Sequence, residues 1–267
     1  MTDPTGETPR ALARSLGLSV DAAVDGLSAP VVQALALAAA VGLFWVVCAS
    51  YGLGGGPYPD EGEEPAFDLP PLDEQVPAQR LTEWMRVQNH TAKITGRHER
   101  NLNPLIVDYG DHRVLEFAWW WLHLGNQPAK FAAFNSRAEA LTSTWRPGLA
   151  QRGLAPATWY VEKGHSFGLG GQAFALAAIT TTARQPDGSD LLTYSIVTRE
   201  AIGVAARTHP RMPLIVPREL QGHWLHPGVP GDSQLIADVL AASDELSAQV
   251  ERIDSPKDAA SSFPALF

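Results

Sequence analysis

Four side chains of this sequence can attack an electrophile, hold it or move protons, and they stand at the edges of apolar runs. They are Cys48, Asn135, Glu162 and His209. A thiol with a histidine and an acid elsewhere in the chain can act as a nucleophile. Taken singly, each residue also fits a cap, an ion pair or a turn, and a lone cysteine ending an apolar run is often a small buried side chain. The order and spacing of the segments that carry them are therefore the informative feature.

Other motifs with known chemistry are weaker. The glycine run Gly52–Gly56 precedes a proline and an acidic loop, whereas a phosphate cradle needs a helix N-terminus behind it. His223 and His226 are three residues apart but lack an obvious third ligand nearby. Gly168–Gly171 is interpreted as a hairpin turn, and no Gly-x-Ser-x-Gly elbow is present. We predict no metal and no organic cofactor.

Composition limits the classes of protein that remain. The chain has 267 residues, 45% apolar and 18% charged, which is enough to form a core and excludes wholesale disorder. A single cysteine excludes an intrachain disulfide framework and a cysteine-based zinc cluster. The net charge is −9, but residues 80–220 carry a net +5 and are the only part suited by charge to a polyanion.

An apolar stretch runs from Ala29 to Val47, interrupted by one polar side chain, Gln33. Its nineteen residues are just long enough to cross a bilayer, and Arg10 and Arg14 precede it. It fits a membrane anchor or an uncleaved signal, although its alanine-rich composition is weak for a span. The alternative is that this segment is not made at all. We expect a cytoplasmic protein, with anchoring to the inner membrane only if residues 29–47 are made and retained.

Strand and helix patterns do not alternate regularly, which argues against a doubly wound parallel sheet. We predict helices over 77–88, 217–226 and 232–251, and a strand–turn–strand unit over 104–118. Residues 135–152 are expected to be helical in part, and strands are expected near 156–162, 172–182 and 192–198. The predicted fold is α+β, with an antiparallel β-barrel or sandwich core and flanking helices. The predicted boundaries are an extension over 1–47, a domain over 48–252 and a flexible tail over 253–267.

Five segments in collinear order resemble the SOS-response-associated peptidase (SRAP) family, which shields abasic sites in single-stranded DNA. The family begins Met-Cys-Gly-Arg and carries Asn-Ala-Arg-x-Glu, Pro-Ala-x-Gly-x-Tyr-Glu-Trp, a strand ending in Thr, and His-Asp-Arg-Met-Pro. The matching residues here are Cys48–Tyr51, Asn135–Glu139, Pro156–Lys163, Ile196–Thr198 and His209–Pro213. Trp119–Trp121 resembles the family's tryptophan-rich segment. The departures from these motifs include Ser50 for Arg, Ser136 for Ala, Trp159 for Gly, Lys163 for Trp and Pro210 for Asp.

The resemblance implies a role for each matched residue. An N-terminal cysteine captures the aldehyde of a ring-opened abasic site, first as an imine and then as a thiazolidine, so Cys48 would be the nucleophile. Glu162 would shuttle protons, His209 would protonate the sugar oxygen, and Asn135 would hold the terminal amine. Arg137 and Arg211 would bind flanking phosphates, and Trp120, Trp121 and Thr198 are also predicted to contact the DNA. The expected partner is single-stranded DNA with abasic sites, and a monomer is expected.

Cys48 is internal in this sequence, so its nitrogen is an amide and is not usefully nucleophilic. Three alternatives stay open. In the first, translation starts at residue 47, where a GTG codon reads as Val internally and as Met at a start, and removal of that Met exposes Cys48. In the second, the extension is cleaved before Cys48 by a self-processing peptidase activity. In the third, the extension is retained. The third alternative predicts a non-covalent DNA-binding module, anchored to a membrane or soluble. A cysteine peptidase that acts in trans through Cys48 and His209 is a further alternative.

Overall fold

The structure is a computed structural model, and it describes residues 50–53 and 78–253. All of these residues fall within one compact unit, Val47–Phe267. Cys48, the apolar stretch 29–47 and the tail beyond residue 253 lie outside the described residues, so the predicted domain boundaries stay predictions.

Fifteen strands are described. In chain order they are β1 Ser50–Gly52, β2 Thr91–Lys93, β3 Leu102–Asp108, β4 Arg113–Trp119, β5 His123–Leu124, β6 Gln127–Pro128, β7 Asn135–Arg137, β8 Arg152–Ala157, β9 Trp159–Glu162, β10 His165–Gly168, β11 Phe174–Arg184, β12 Asp190–Glu200, β13 Arg211–Pro213, β14 Ile215–Val216 and β15 Glu251–Ile253.

The described residues also include four α-helices and two short 3-10 turns. The helices are α1 Ala78–Gln88, α2 Arg146–Leu149, α3 Arg218–Leu225 and α4 Ser233–Ala248, and the 3-10 turns are Ala138–Ala140 and Ala205–Arg207. Asp232 caps the N-terminus of α4: its carboxylate accepts hydrogen bonds from the backbone N–H groups of Gln234 and Leu235, both at 3.0 Å. This cap satisfies two of the donors that a helix N-terminus leaves open.

Five strands close into a barrel in the order β12–β4–β3–β8–β11, and the β11–β12 hairpin completes the circle. Strands β7 and β13 extend it beside β12, and β14 pairs with β11. A second sheet has the order β15–β10–β9–β1–β2 and is antiparallel throughout. The predicted α+β fold with a barrel core is confirmed. Two pairings, β12 with β4 and β12 with β7, are parallel.

Most predicted elements correspond to observed ones. Helices 77–88, 217–226 and 232–251 correspond to α1, α3 and α4, and the strand–turn–strand unit corresponds to β3 and β4. The turn predicted at Gly168–Gly171 is present: the N–H of Gln172 donates to the carbonyl of Leu169 at 2.9 Å, and Gly170 and Gly171 have positive φ angles of 56° and 79°. The strands on either side of it, β10 and β11, belong to different sheets. A second two-residue turn, Lys163–Gly164, joins β9 to β10, and its φ angles are 46° and 77°. Two consecutive residues with positive φ form a hairpin turn whose twist matches that of the flanking strands.

Arg152 is a charged residue in the packed interior, at 1% exposure. Its guanidinium donates to the backbone carbonyls of Leu149, His226 and Val229 at 2.8–2.9 Å and also to that of Trp224. Burial lowers the pKa of this guanidinium below its usual value, and Asp232 acts in the opposite direction. Arg152 therefore ties the chain that follows α3 to strand β8 of the barrel.

Candidate active site

Glu162 and His209 form a buried acid–base pair. Glu162 ends β9 in the small sheet, and His209 lies in the loop between the 3-10 turn Ala205–Arg207 and β13 at the barrel edge. Their side chains are 3% and 2% exposed, and Nδ1 of His209 lies 3.8 Å from Oε1 of Glu162. A carboxyl group and an imidazole removed from water at this distance can pass protons to a bound reactant.

Backbone contacts hold the His209 ring in place. The backbone N–H of His209 donates to the carbonyl of Ala205 at 3.1 Å. The backbone N–H of Arg211 donates to Nδ1 of His209, also at 3.1 Å. The carbonyl oxygen of Arg211 is also 3.2 Å from Nδ1, so the Arg211 backbone presents both a donor and an acceptor to this nitrogen. Which of them Nδ1 uses depends on the protonation of the ring. These contacts fix the orientation of the ring beside Glu162.

Arg211 joins two of the sequence motifs. Its guanidinium makes a two-pronged contact with the Glu139 carboxylate, at 2.6 and 2.9 Å, and also donates to the carbonyl of Thr198 at 2.6 Å. The hydrogen bond from Arg211 holds the pKa of Glu139 below its usual value. Because Glu139 and Arg211 are 72 residues apart, this pair ties the turn after β7 to β13.

Strand β12 pairs with the strands that carry the other motif residues. Asn135 pairs with Ile196, and Thr198 lies between Arg137 on one side and Pro213 on the other. Asn135 is half-buried, whereas Arg137 is exposed. The three sequence motifs that carry Asn135, Thr198 and His209 are thus adjacent at this edge of the barrel.

Strand β1 approaches the same region from the small sheet. Ser50, its first residue, pairs in an antiparallel register with Val161, the residue next to Glu162 in β9. Cys48 itself lies outside the described residues. The structure therefore brings Glu162 and His209 together and aligns Asn135 nearby, and it leaves the place of Cys48 untested.

The sequence of residues 88–255 matches the model of the family described as SOS response associated peptidase, SRAP. The chain belongs to the SRAP family. The family is associated with the SOS response and with abasic-site processing. This association indicates a DNA-related partner. The match includes Asn135, Glu162 and His209 but begins after Cys48.

Two crystal structures resemble this SRAP chain. A protein from Bacteroides thetaiotaomicron is 16% identical, covers 81% of this chain and 95% of its own, and has a TM-score of 0.53, which supports the fold. A protein from Bordetella bronchiseptica is 17% identical, covers 79% of this chain and 96% of its own, and has a TM-score of 0.49. Among curated proteins, none matches the chain in sequence.

Trp120 and Trp121, the tryptophans predicted to contact DNA, are both buried in this SRAP protein. Trp120 is fully buried and donates from its indole N–H to the carbonyl of Phe134 at 2.8 Å. Trp121 is 8% exposed and donates from its indole N–H to the carbonyl of Ala129 at 3.0 Å. Burial weighs against stacking of either ring on a DNA base, and their contact with DNA stays a prediction.

Thr198 is also buried, at 1% exposure, and its hydroxyl donates to the carbonyl of Ser136 at 3.3 Å. Its contacts hold β7 and β13 against β12 and do not leave it open to DNA. The guanidinium of Arg211 is paired with the Glu139 carboxylate. Its contact with a DNA phosphate stays a prediction. Exposed Arg137 is better placed for that role.

One residue near the SRAP site was missed by sequence reasoning. His165 pairs directly with Glu162 across the β9–β10 hairpin. The signal was present in the sequence, since the Lys163–Gly164 dipeptide is a two-residue turn candidate that places its flanking residues opposite each other.

No metal site is found within residues 50–53 and 78–253, where no three His, Cys, Asp or Glu side chains are grouped closely enough to hold an ion. Over the same ranges, no helix is both long and apolar enough to cross a membrane. The predicted anchor at 29–47 lies outside them, and the compartment stays a prediction.

Proposed function

We propose that this SRAP protein captures abasic sites in single-stranded DNA as a covalent thiazolidine formed by Cys48 once that residue is N-terminal. The single observation that carries the proposal is the buried Glu162–His209 pair, contributed by a strand adjacent to β1 and by a loop at the barrel edge. Such a pair supplies the proton transfers that aldehyde capture requires.

The approach of β1 supports the place of Cys48 in this reaction. Ser50 pairs with Val161, the residue next to Glu162 in β9. Consecutive Cα atoms are about 3.8 Å apart, so chain connectivity keeps the Cα atom of Cys48 within about 7.6 Å of that of Ser50. This distance is compatible with Cys48 and Glu162 acting on one substrate.

The reaction begins with opening of the abasic sugar. His209, in its protonated imidazolium form, donates a proton to the ring oxygen, and Glu162 takes the proton of the hydroxyl on the same carbon, which frees the aldehyde. The α-amine of Cys48 adds to the aldehyde carbon, and Glu162 transfers protons so that the hydroxyl leaves as water and an imine forms. The thiol then adds across the imine: the sulfur–carbon bond closes the five-membered ring, and the thiol proton ends on the ring nitrogen.

The acid–base properties of a free N-terminal cysteine suit this chemistry near neutral pH. An α-amine ordinarily has a pKa of about 7.7–8.0 and a thiol of about 8.5, so both are partly deprotonated. Asn135 would orient the amine by a hydrogen bond, and Arg137 would hold a phosphate beside the lesion. Release of the amine requires either a start at residue 47 followed by removal of the initiator Met, or cleavage before Cys48.

The test mixes three forms of the protein with single-stranded DNA that carries one abasic site. The forms are the full chain, a shorter chain made as Met followed by Cys48 from which the Met is removed, and that shorter chain with Cys48→Ser. We expect a shifted band on a denaturing gel from the Met-Cys48 form and none after Cys48→Ser. A band from the full chain as well would indicate processing, and the mass of the adduct would locate the cleavage.

No band from any form would overturn the covalent proposal. DNA binding retained in a native gel would then favour the non-covalent module. Cleavage of a peptide library without DNA, lost on Cys48→Ser, would instead favour a cysteine peptidase that acts in trans.

A further inference from the structure

We propose that His165 relays protons between solvent and the buried Glu162 carboxyl during aldehyde capture. This inference rests on the proposed function and adds a proton-relay residue to it. His165 lies outside the motifs by which the sequence resembles the SRAP family.

The hairpin register places the two side chains together. Glu162 and His165 are directly paired and flank the two-residue turn Lys163–Gly164. Side chains of a directly opposed antiparallel pair share a face of the sheet, with Cβ atoms about 4.5–5.5 Å apart.

The next pair along the hairpin confirms which side chains share that face. Tyr160 and Phe167 are also directly opposed, and their rings stack with centroids 5.4 Å apart and planes inclined by 21°. Because side chains alternate along a strand, residues two positions away lie on the same face. Glu162 and His165 therefore extend the Tyr160–Phe167 face to the turn.

Burial separates the roles of the two histidines. Glu162 and His209 are 3% and 2% exposed, whereas His165 is only partly buried. Nδ1 of His209 contacts the Arg211 backbone. His165 thus combines access to solvent with a shared face next to Glu162, and an imidazole exchanges protons readily between pH 5 and 8.

The proposed reaction requires Glu162 both to donate and to accept protons. Glu162 must hold a proton to release water from the first adduct and must accept one from the incoming amine. A buried carboxyl exchanges protons slowly with water unless another group connects them. Charged or titratable groups on the described elements around His165 are Tyr160 and Glu162 of β9, Lys163 of the turn, Glu251 and Arg252 of β15, and His209 of the loop before β13.

The experiment measures the single-turnover rate of cross-linking by the Met-Cys48 form with protein in excess, from pH 6 to 8 and at low buffer concentration. His165→Gln should slow the reaction about tenfold, which is less than the loss of a direct acid–base group. Added imidazole should restore the rate of the variant and leave the wild-type rate unchanged. His223→Gln, at an exposed histidine of α3, is the matched control and should react like the wild type.

An unchanged rate for His165→Gln across the pH range would overturn the relay. So would a slower rate that imidazole does not restore, because a structural role predicts that result. His165→Asn and the urea unfolding midpoint of both variants guard against a folding defect. Failure of the wild-type Met-Cys48 form to cross-link would overturn the proposed function itself, so the two failures are distinguishable.

Discussion

Two contacts between the small sheet and the barrel are equally buried and differ in chemistry. In the aromatic contact, the hydroxyls of Tyr51 and Tyr194 are 2.6 Å apart, and Trp120 packs against both rings, at 4.9 and 6.0 Å between centroids. In the acid–base contact, Glu162 faces His209 at 3.8 Å. Both contacts connect strands of the small sheet to the barrel or to the loop at its edge.

The difference indicates where stability and reactivity come from. The aromatic contact buries large apolar area, and the hydroxyls and the Trp120 indole N–H have partners, so its burial favours folding. The acid–base contact removes two titratable groups from water, which costs free energy that their attraction does not reliably offset. We interpret the aromatic contact as structural and the acid–base contact as retained for chemistry.

The largest expected effect is on the reaction rate. Glu162→Gln keeps the size of the side chain but cannot transfer protons, so the cross-linking rate of the Met-Cys48 form should fall by about 10²–10⁴-fold. The urea unfolding midpoint, measured on the same samples, should change little. A variant that cross-links at the wild-type rate would contradict the role of Glu162.

Replacement of a central aromatic residue should have the opposite signature. Trp120→Ala leaves a cavity and removes the hydrogen bond to Phe134, which should lower the free energy of unfolding by about 3–5 kcal/mol. Trp120→Phe is a smaller change and should lower the free energy of unfolding by less. If Trp120→Ala retains stability but loses DNA binding, Trp120 contacts DNA after all and its burial is not decisive.

Removal of a single hydroxyl is a smaller change to the same aromatic contact. Tyr194→Phe removes the bond to the Tyr51 hydroxyl and should cost about 1 kcal/mol of unfolding free energy. The ring packing against Trp120 remains, so the cross-linking rate per folded molecule should stay at the wild-type value. A rate that falls while stability is unchanged would place this hydroxyl in the chemistry.

The smallest effect is expected at the ion pair between the motifs. Arg211 holds the pKa of Glu139 below its usual value, so the pair stabilises the fold above the ordinary carboxyl pKa. That contribution is lost as pH falls through the lowered pKa. Because Glu139 is 58% exposed, Glu139→Gln should cost only about 0.2–1 kcal/mol at pH 7 and less in acid. Urea unfolding at pH 3 and pH 7 checks this; an equal cost at both would contradict the assignment.

The sequence predicted the barrel class and the main helices because apolar periodicity, β-branched runs and turn residues are local signals. It also selected Glu162 and His209, 47 positions apart in the chain, through motif order and not through any local pattern. It could not show that Trp120 is buried, since an aromatic run has the same composition in a core and on a stacking surface. Nor could it show the Glu139–Arg211 contact or the register of His165 with Glu162, which depend on strand pairing.

The central claim is that the adduct forms at the amine and thiol of Cys48, and the mass of the product tests it most directly. The Met-Cys48 form should be cross-linked to abasic single-stranded DNA, digested and analysed by mass spectrometry. The account predicts an adduct confined to the peptide that begins at Cys48, with a mass equal to the sum of the two reactants less one water. An adduct on any other peptide, or DNA recovered only without attached protein, would contradict it.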